Sequence, residues 1–280
     1  MHEVNVKSLL TYTAETPTTL LLNVAITTTP RQRVVVEELN VDPVLDIDPL
    51  PVGEEENRFH RVQLQPGETQ ISYQARAQLE PFIEDPPTID QIEYGSLPPQ
   101  VLSYLNPSRY CESDRLSNFA LAQFGTMPAN FERVDTVCNW IAEHLEYKGG
   151  STNALTTACD VLVQRQGVCR DFAHLAISFC RALGVPARYV SGYACHLEPP
   201  DFHGFFEAYL DGRWYIFDPT RLAPPAGLVR IGTGRDAADT AFATVWGKAT
   251  LDNISVQAWE VTGEEGLLDE GGADIAVSTA

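Results

Sequence analysis

"QGVCRDFAHLAISFCRALGVP", residues 166–186, decides how the chain is read. Phe172, Leu175, Ala176, Phe179 and Leu183 recur at helical spacing, and Ala173, Ile177 and Cys180 widen the stripe until the helix is apolar on most sides. Such a helix belongs at the centre of a core. Gly184 and Pro186 end it, because glycine accepts the left-handed cap and proline cannot continue the hydrogen-bond ladder. Its start has a different character. Cys169 falls in the first turn, where unsatisfied backbone N–H groups stabilise an anion and hence a thiolate. Cys180 lies about three turns further in, where neither the helix end nor solvent reaches it.

A thiolate nucleophile needs an imidazole to take its proton and a third group to orient that imidazole. The strands after the helix, "ARYVSGYACHL", "HGFFEAYL" and "RWYIFD", supply both. Asp211-Gly212 is a dipeptide preferred in two-residue hairpin turns. With that turn, Tyr209 faces Trp214, Phe205 faces Asp218 and His203 faces Thr220. Directly opposed residues point to one side of a sheet, so His203 and Asp218 become diagonal neighbours about 7–8 Å apart, within reach of a side-chain hydrogen bond. Trp214 and Tyr215 alternate along the same strand and read as core and surface.

Working outward, residues 1 to about 80 alternate apolar and polar positions in β-rich runs, with a hairpin at Pro66-Gly67, and suggest a small β-sandwich without reactive residues. The prolines at 81, 86, 87, 98 and 99 then mark a linker. A helix follows with Phe131, Val134, Val137 or Cys138, Ile141 and Leu145 on one face and Asn130 as its cap. Another opens at the Thr157/Asp160 capping box and runs to Gly167. Beyond Pro219 the text is loop-like until "RDAADTAFATVWG" and a last strand, "NISVQAWEV". The expected domains are 1–95 (β-sandwich and linker), 96–262 (catalytic) and 263–280 (an acidic, flexible tail).

Acidic residues outnumber basic ones by 38 to 19, which argues against nucleic-acid binding. No secretory leader and no long apolar span is visible, so the expectation is a cytoplasmic protein with no membrane partner. The six cysteines include no C-x-x-C pair, and they read as free thiols with no metal site and no cofactor. No calcium-loop motif appears among the carboxylates.

"GVCRDFAHLAISFCRALGVPARYVSGY" and "DFHGFFEAYLDGRWYIFDPTR", with Cys, His and Asp in that order, resemble the transglutaminase-like superfamily, a branch of the papain-like fold, in its bacterial form. "PSRYCESD" and "GRDAADTAF" extend the resemblance over roughly residues 100–247. The β-rich start is similar to the domain that often precedes such catalytic cores. The resemblance implies an α+β fold, a central cysteine-bearing helix packed on an antiparallel sheet, preceded by a small all-β sandwich. It implies Cys169 as nucleophile, His203 as general base and then acid, and Asp218 as the orienting group.

The implied reaction is acyl transfer through a thioester, with no cofactor, on a protein or peptide substrate. Peptide or amide hydrolysis is the first expectation, cross-linking by a transglutaminase the alternative, and a non-catalytic scaffold the reading from a different class. The Cys169 backbone N–H is the natural first oxyanion donor. Trp140, Tyr147, Gln164 and Gln166 are open candidates for the second. The family usually carries a tryptophan soon after the catalytic histidine; here Phe205 and Phe206 stand there as expected apolar walls. Arg109 and Asp114 are expected to hold the fold as ion-pairing groups.

Overall fold

The computed structural model describes residues 1–261 and 275–280. Its first layer is the sandwich that the alternating pattern predicts. One sheet holds His2–Ala14, Gly67–Leu79 and Gln32–Asp42, and the facing sheet holds Thr18–Leu22, Asn57–Leu64 and Ile47–Val52. Each sheet gains a strand from the far end of the chain: Ala249–Glu260 pairs with His2–Ala14, and Ala243–Trp246 with Thr18–Leu22. The last two strands of the stretch 96–262, expected to be catalytic, thus belong to the sandwich expected over 1–95. Strands whose apolar faces have no partner locally complete the sandwich about 240 residues away from its start, at a loop-closure cost that grows only slowly with length.

The second layer is an antiparallel sheet in the order Arg213–Phe217, His203–Leu210, Ala187–Ala194, Leu228–Gly234. The last of these lies in the stretch read as loop. Its sequence, LVRIGTG, is short and glycine-bearing, yet all seven residues are buried. The helices are α1 (Ser113–Phe124), α2 (Phe131–His144), α3 (Ala158–Gln164) and α4 (Cys169–Ala182). α1 had no counterpart in the sequence reading. α2 is capped by the Asn130 side chain, which accepts from the Arg133 N–H. α3 stops at Gln164 rather than at Gly167, because Arg165 turns left-handed (φ 58°) and Gln166–Gly167 forms a short parallel bridge with Glu146–Tyr147.

α4 packs against this sheet with Phe172, Leu175, Ala176 and Phe179 fully in the core. On the sheet's other side Tyr193, Val229 and Ile231 join the sandwich core. The sheet is thus covered on both faces, which fixes its register. Of the segment expected to be a flexible tail, residues 263–274 lie outside the described residues. Ala276–Ser278, by contrast, forms a buried strand on Phe82–Glu84 and corrects the expectation there. All six cysteines are free thiols. Among the described residues no helix is long and apolar enough to cross a membrane.

Candidate active site

Cys169 is the first residue of α4. The helix starts there because Asp171 ties the turn down: one carboxylate oxygen accepts from the Val168 N–H (3.0 Å) and the Thr152 hydroxyl (2.5 Å), the other from the Arg170 guanidinium (2.7 Å). Gly167 is required beside it, since a Cβ would sit 2.8 Å from that of Asp171. Asp171 is fully buried, so its ion pair with Arg170 holds the helix start in one geometry. Further down the helix, burial pushes the Cys180 thiol up to about 12, which suits a packing residue and not a nucleophile.

The hairpin delivers the second half of the site. Asp211 (φ 43°) and Gly212 (φ 79°) form the tight turn, and Tyr209 pairs with Trp214 and Phe206 with Phe217. One step further places Asp218 just past the strand, where its Oδ2 meets His203 Nε2 at 2.8 Å. The other oxygen, Oδ1, accepts from the Thr220 N–H (2.9 Å) and hydroxyl (2.7 Å). Both side chains are almost wholly buried. His203 Nδ1 is buried and has no hydrogen-bond partner among the described residues.

The sulfur of Cys169 lies 4.0 Å from the carbonyl oxygen of Phe202, the residue before His203. Burial opposes charging of His203, but the Asp218 carboxylate and the neighbouring Cys169 sulfur outweigh it and lift its pKa to about 10. Burial likewise opposes ionisation of Asp218, and His203 together with Thr220 reverses that, holding the carboxyl below its usual range. The structure therefore brings Cys169, His203 and Asp218 together.

Above them opens a cleft of about 480 Å³. Its walls are Tyr110, Tyr189, Phe202 and Phe242, not the expected Phe205 and Phe206. Those two point to opposite sides of their strand, Phe205 into one buried cluster and Phe206 into the core under α4. Gly204 is the only residue type that fits between the histidine and the cleft wall, because a Cβ would lie 2.3 Å from the Tyr189 hydroxyl. Of the four second-donor candidates, Trp140 is packed against Phe119, Phe124 and Phe179. Gln164 is exposed at the end of α3, and Gln166 lies in the short bridge. Tyr147, across that bridge, faces Cys169: burial first, and then the Cys169 sulfur, raise its hydroxyl pKa, while the Cys169 backbone acts in the opposite sense. Arg109 and Asp114 form no ion pair among the described residues; the Arg109 guanidinium instead lies over the Tyr110 ring at 4.8 Å.

Residues 118–219 match the model of the transglutaminase-like superfamily, and residues 2–95 match that of the bacterial transglutaminase N-terminal domain. A crystal structure named as a "Putative Cysteine Protease from Cytophaga hutchinsonii" is 38% identical, with a TM-score of 0.94 over 99% of this chain and 97% of that one. An uncharacterized protein of Mycobacterium leprae is 34% identical over 39% of this chain and 42% of its own length. One from Mycobacterium tuberculosis is 34% identical over 52% and 50%. The chain thus spans about half the length, or less, of these curated relatives. Two family models in the expected order, and a relative matched over nearly its whole length, make the chain a member of the transglutaminase-like superfamily.

Proposed function

We propose that the protein is a cysteine-dependent acyl-transfer enzyme that hydrolyses a peptide or amide bond. The observation that carries this reading is the meeting of three side chains at one cleft: Cys169 at a helix N-terminus, and His203 with one ring nitrogen on Asp218 and the other unpartnered. Nδ1 takes the proton of Cys169, and the raised pKa of His203 keeps the resulting imidazolium beside the thiolate. The thiolate adds to the substrate carbonyl. The oxyanion formed is held by the Cys169 backbone N–H and the Tyr147 hydroxyl. Collapse breaks the C–N bond, the His203 proton goes to the departing amine, and a thioester remains. His203 then takes a proton from water, hydroxide adds to the thioester, and the acid and the Cys169 thiol are released.

The four aromatic walls of the cleft suit a protein or peptide segment, and six free thiols fit a reducing compartment such as the cytoplasm. Iodoacetamide at neutral pH tests the nucleophile: selective alkylation of Cys169 that is lost in His203→Ala supports the triad, whereas six equally indifferent thiols overturn it. Incubation with a glutamine-containing casein and a labelled amine then tests the reaction. Cleavage supports hydrolysis, and amine incorporation without cleavage replaces it with transamidation.

A further inference from the structure

The cleft does not end at Cys169. Ala241 lines both it and a second groove of about 600 Å³ that opens between the β-sandwich and the catalytic domain. Phe242 and Ala243 face the first space, Thr244 and Trp246 the second, so one short strand of the sandwich leads from the nucleophile into the groove. The opposite wall includes the hairpin turn after Ile47–Val52. That turn is fastened to the catalytic domain. Glu55 accepts from the Tyr104 hydroxyl (2.7 Å) and from Arg188 (3.1 Å), and the Asn57 side chain brackets the Thr233 backbone with two bonds of 2.8 Å. The groove is therefore a built feature of the fold, with both walls held in place.

Its chemistry is selective. Glu55 and Asp239 are already engaged by arginines, Arg188 and Arg235. Glu54 has no hydrogen bond or ion pair among the described residues, and it shares the groove with Trp246, an indole left 58% exposed. A carboxylate and an open aromatic face in one groove match a guanidinium or an ammonium on an apolar stem. The chain's net charge of −19 steers the same sign of ligand toward it.

We infer that the groove receives the polypeptide flanking the reacting carbonyl and holds a lysine or arginine side chain of the substrate against Trp246 and Glu54. This assignment rests on the acyl-transfer reading of Cys169. It gives the N-terminal domain a task, since that domain supplies the Glu54 turn and its sheet carries the Trp246 strand. The selected substrate is thus a basic polypeptide segment rather than a small amide.

The test uses bromoacetyl peptides, in which the Cys169 thiolate displaces bromide and forms a thioether. One set carries arginine at one, three or five glycines from the bromoacetyl group, and a matched set carries glutamate. Alkylation is followed by intact mass, with iodoacetamide as the short probe. At one spacing the arginine peptide is expected to react about tenfold faster than its glutamate partner, the scale of a cation–π contact combined with a carboxylate. Trp246→Ala should lower that ratio several-fold and Glu54→Lys should abolish or reverse it, with iodoacetamide rates unchanged in both. Equal rates for the two sets at every spacing, or a preference that survives both variants, overturns the assignment and leaves the nucleophile standing. Failure of iodoacetamide to select Cys169 in the unaltered protein overturns both.

Discussion

The strand His203–Leu210 carries two buried ionic groups, His203 and Glu207, four residues apart on one face, and they end in opposite chemical states. Glu207 is fully satisfied. It accepts from Arg188 Nε at 2.7 Å, from Arg230 Nη1 at 2.9 Å and from Arg230 Nη2, so both oxygens are engaged. His203 uses one nitrogen on Asp218 and leaves the other buried and unpartnered. Burial and charge are common to both. The distinguishing feature is a ring nitrogen left without a hydrogen bond in a histidine that feels the Cys169 sulfur, which is what the proposed triad needs.

The comparison breaks most visibly at the histidine. His203→Ala, or Asp218→Asn, which leaves the imidazole without its carboxylate, should lower kcat by on the order of 10⁴-fold with little change in KM. Steady-state kinetics on the casein-derived substrate reads this. A loss below tenfold for both variants would return the pair to a structural role like that of Glu207.

Glu207 should respond in stability instead. Glu207→Gln keeps the shape but removes the charge facing two buried guanidinium groups, and breaking such a pair costs about 3–5 kcal/mol. A urea melt of the variant within about 0.5 kcal/mol of the parent would contradict this account. The two groups also act on opposite pH limbs. Burial raises the Glu207 pKa, but Arg188 and Arg230 outweigh it and bring it to about 2. Its contribution is therefore fully present above the ordinary carboxylate range and is lost as pH falls toward 2. His203, raised to about 10, contributes fully below the ordinary imidazole range near about 6.5, and that contribution is lost as pH rises through 10. Urea midpoints measured against pH should lose acid-side slope in Glu207→Gln and alkaline-side slope in Asp218→Asn.

The same contrast explains what could be read from sequence. His203 and Asp218 were legible because an Asp211-Gly212 turn fixes a register, and register is a parity argument that needs only counting. Cys169 was legible because helix periodicity separates an end from a middle. Leu228–Gly234 was not, since its glycines and arginine are tolerated only with the sandwich and the C-terminal segment packed around them. The sandwich's last strand was legible as a strand, in "NISVQAWEV", but its place in the sandwich was not, and neither was that of Ala243–Trp246: their partners lie some two hundred residues upstream, where no local pattern reaches.

Tyr147 was hidden for the same reason and leaves the smallest expected effect. It reaches Cys169 only because Glu146–Tyr147 bridges Gln166–Gly167 in parallel, a pairing two residues long. From sequence it stood level with Trp140, Gln164 and Gln166. In the proposed mechanism its hydroxyl contributes to turnover by donating to the oxyanion of the transition state. Tyr147→Phe should therefore lower kcat by roughly 10²-fold, the scale of one lost donor, while leaving the iodoacetamide rate at Cys169 within about twofold. His203→Ala should depress both. A parallel fall in alkylation and turnover for Tyr147→Phe would mean that the hydroxyl tunes the thiol itself and would place it with His203. A fall in turnover alone supports the oxyanion assignment.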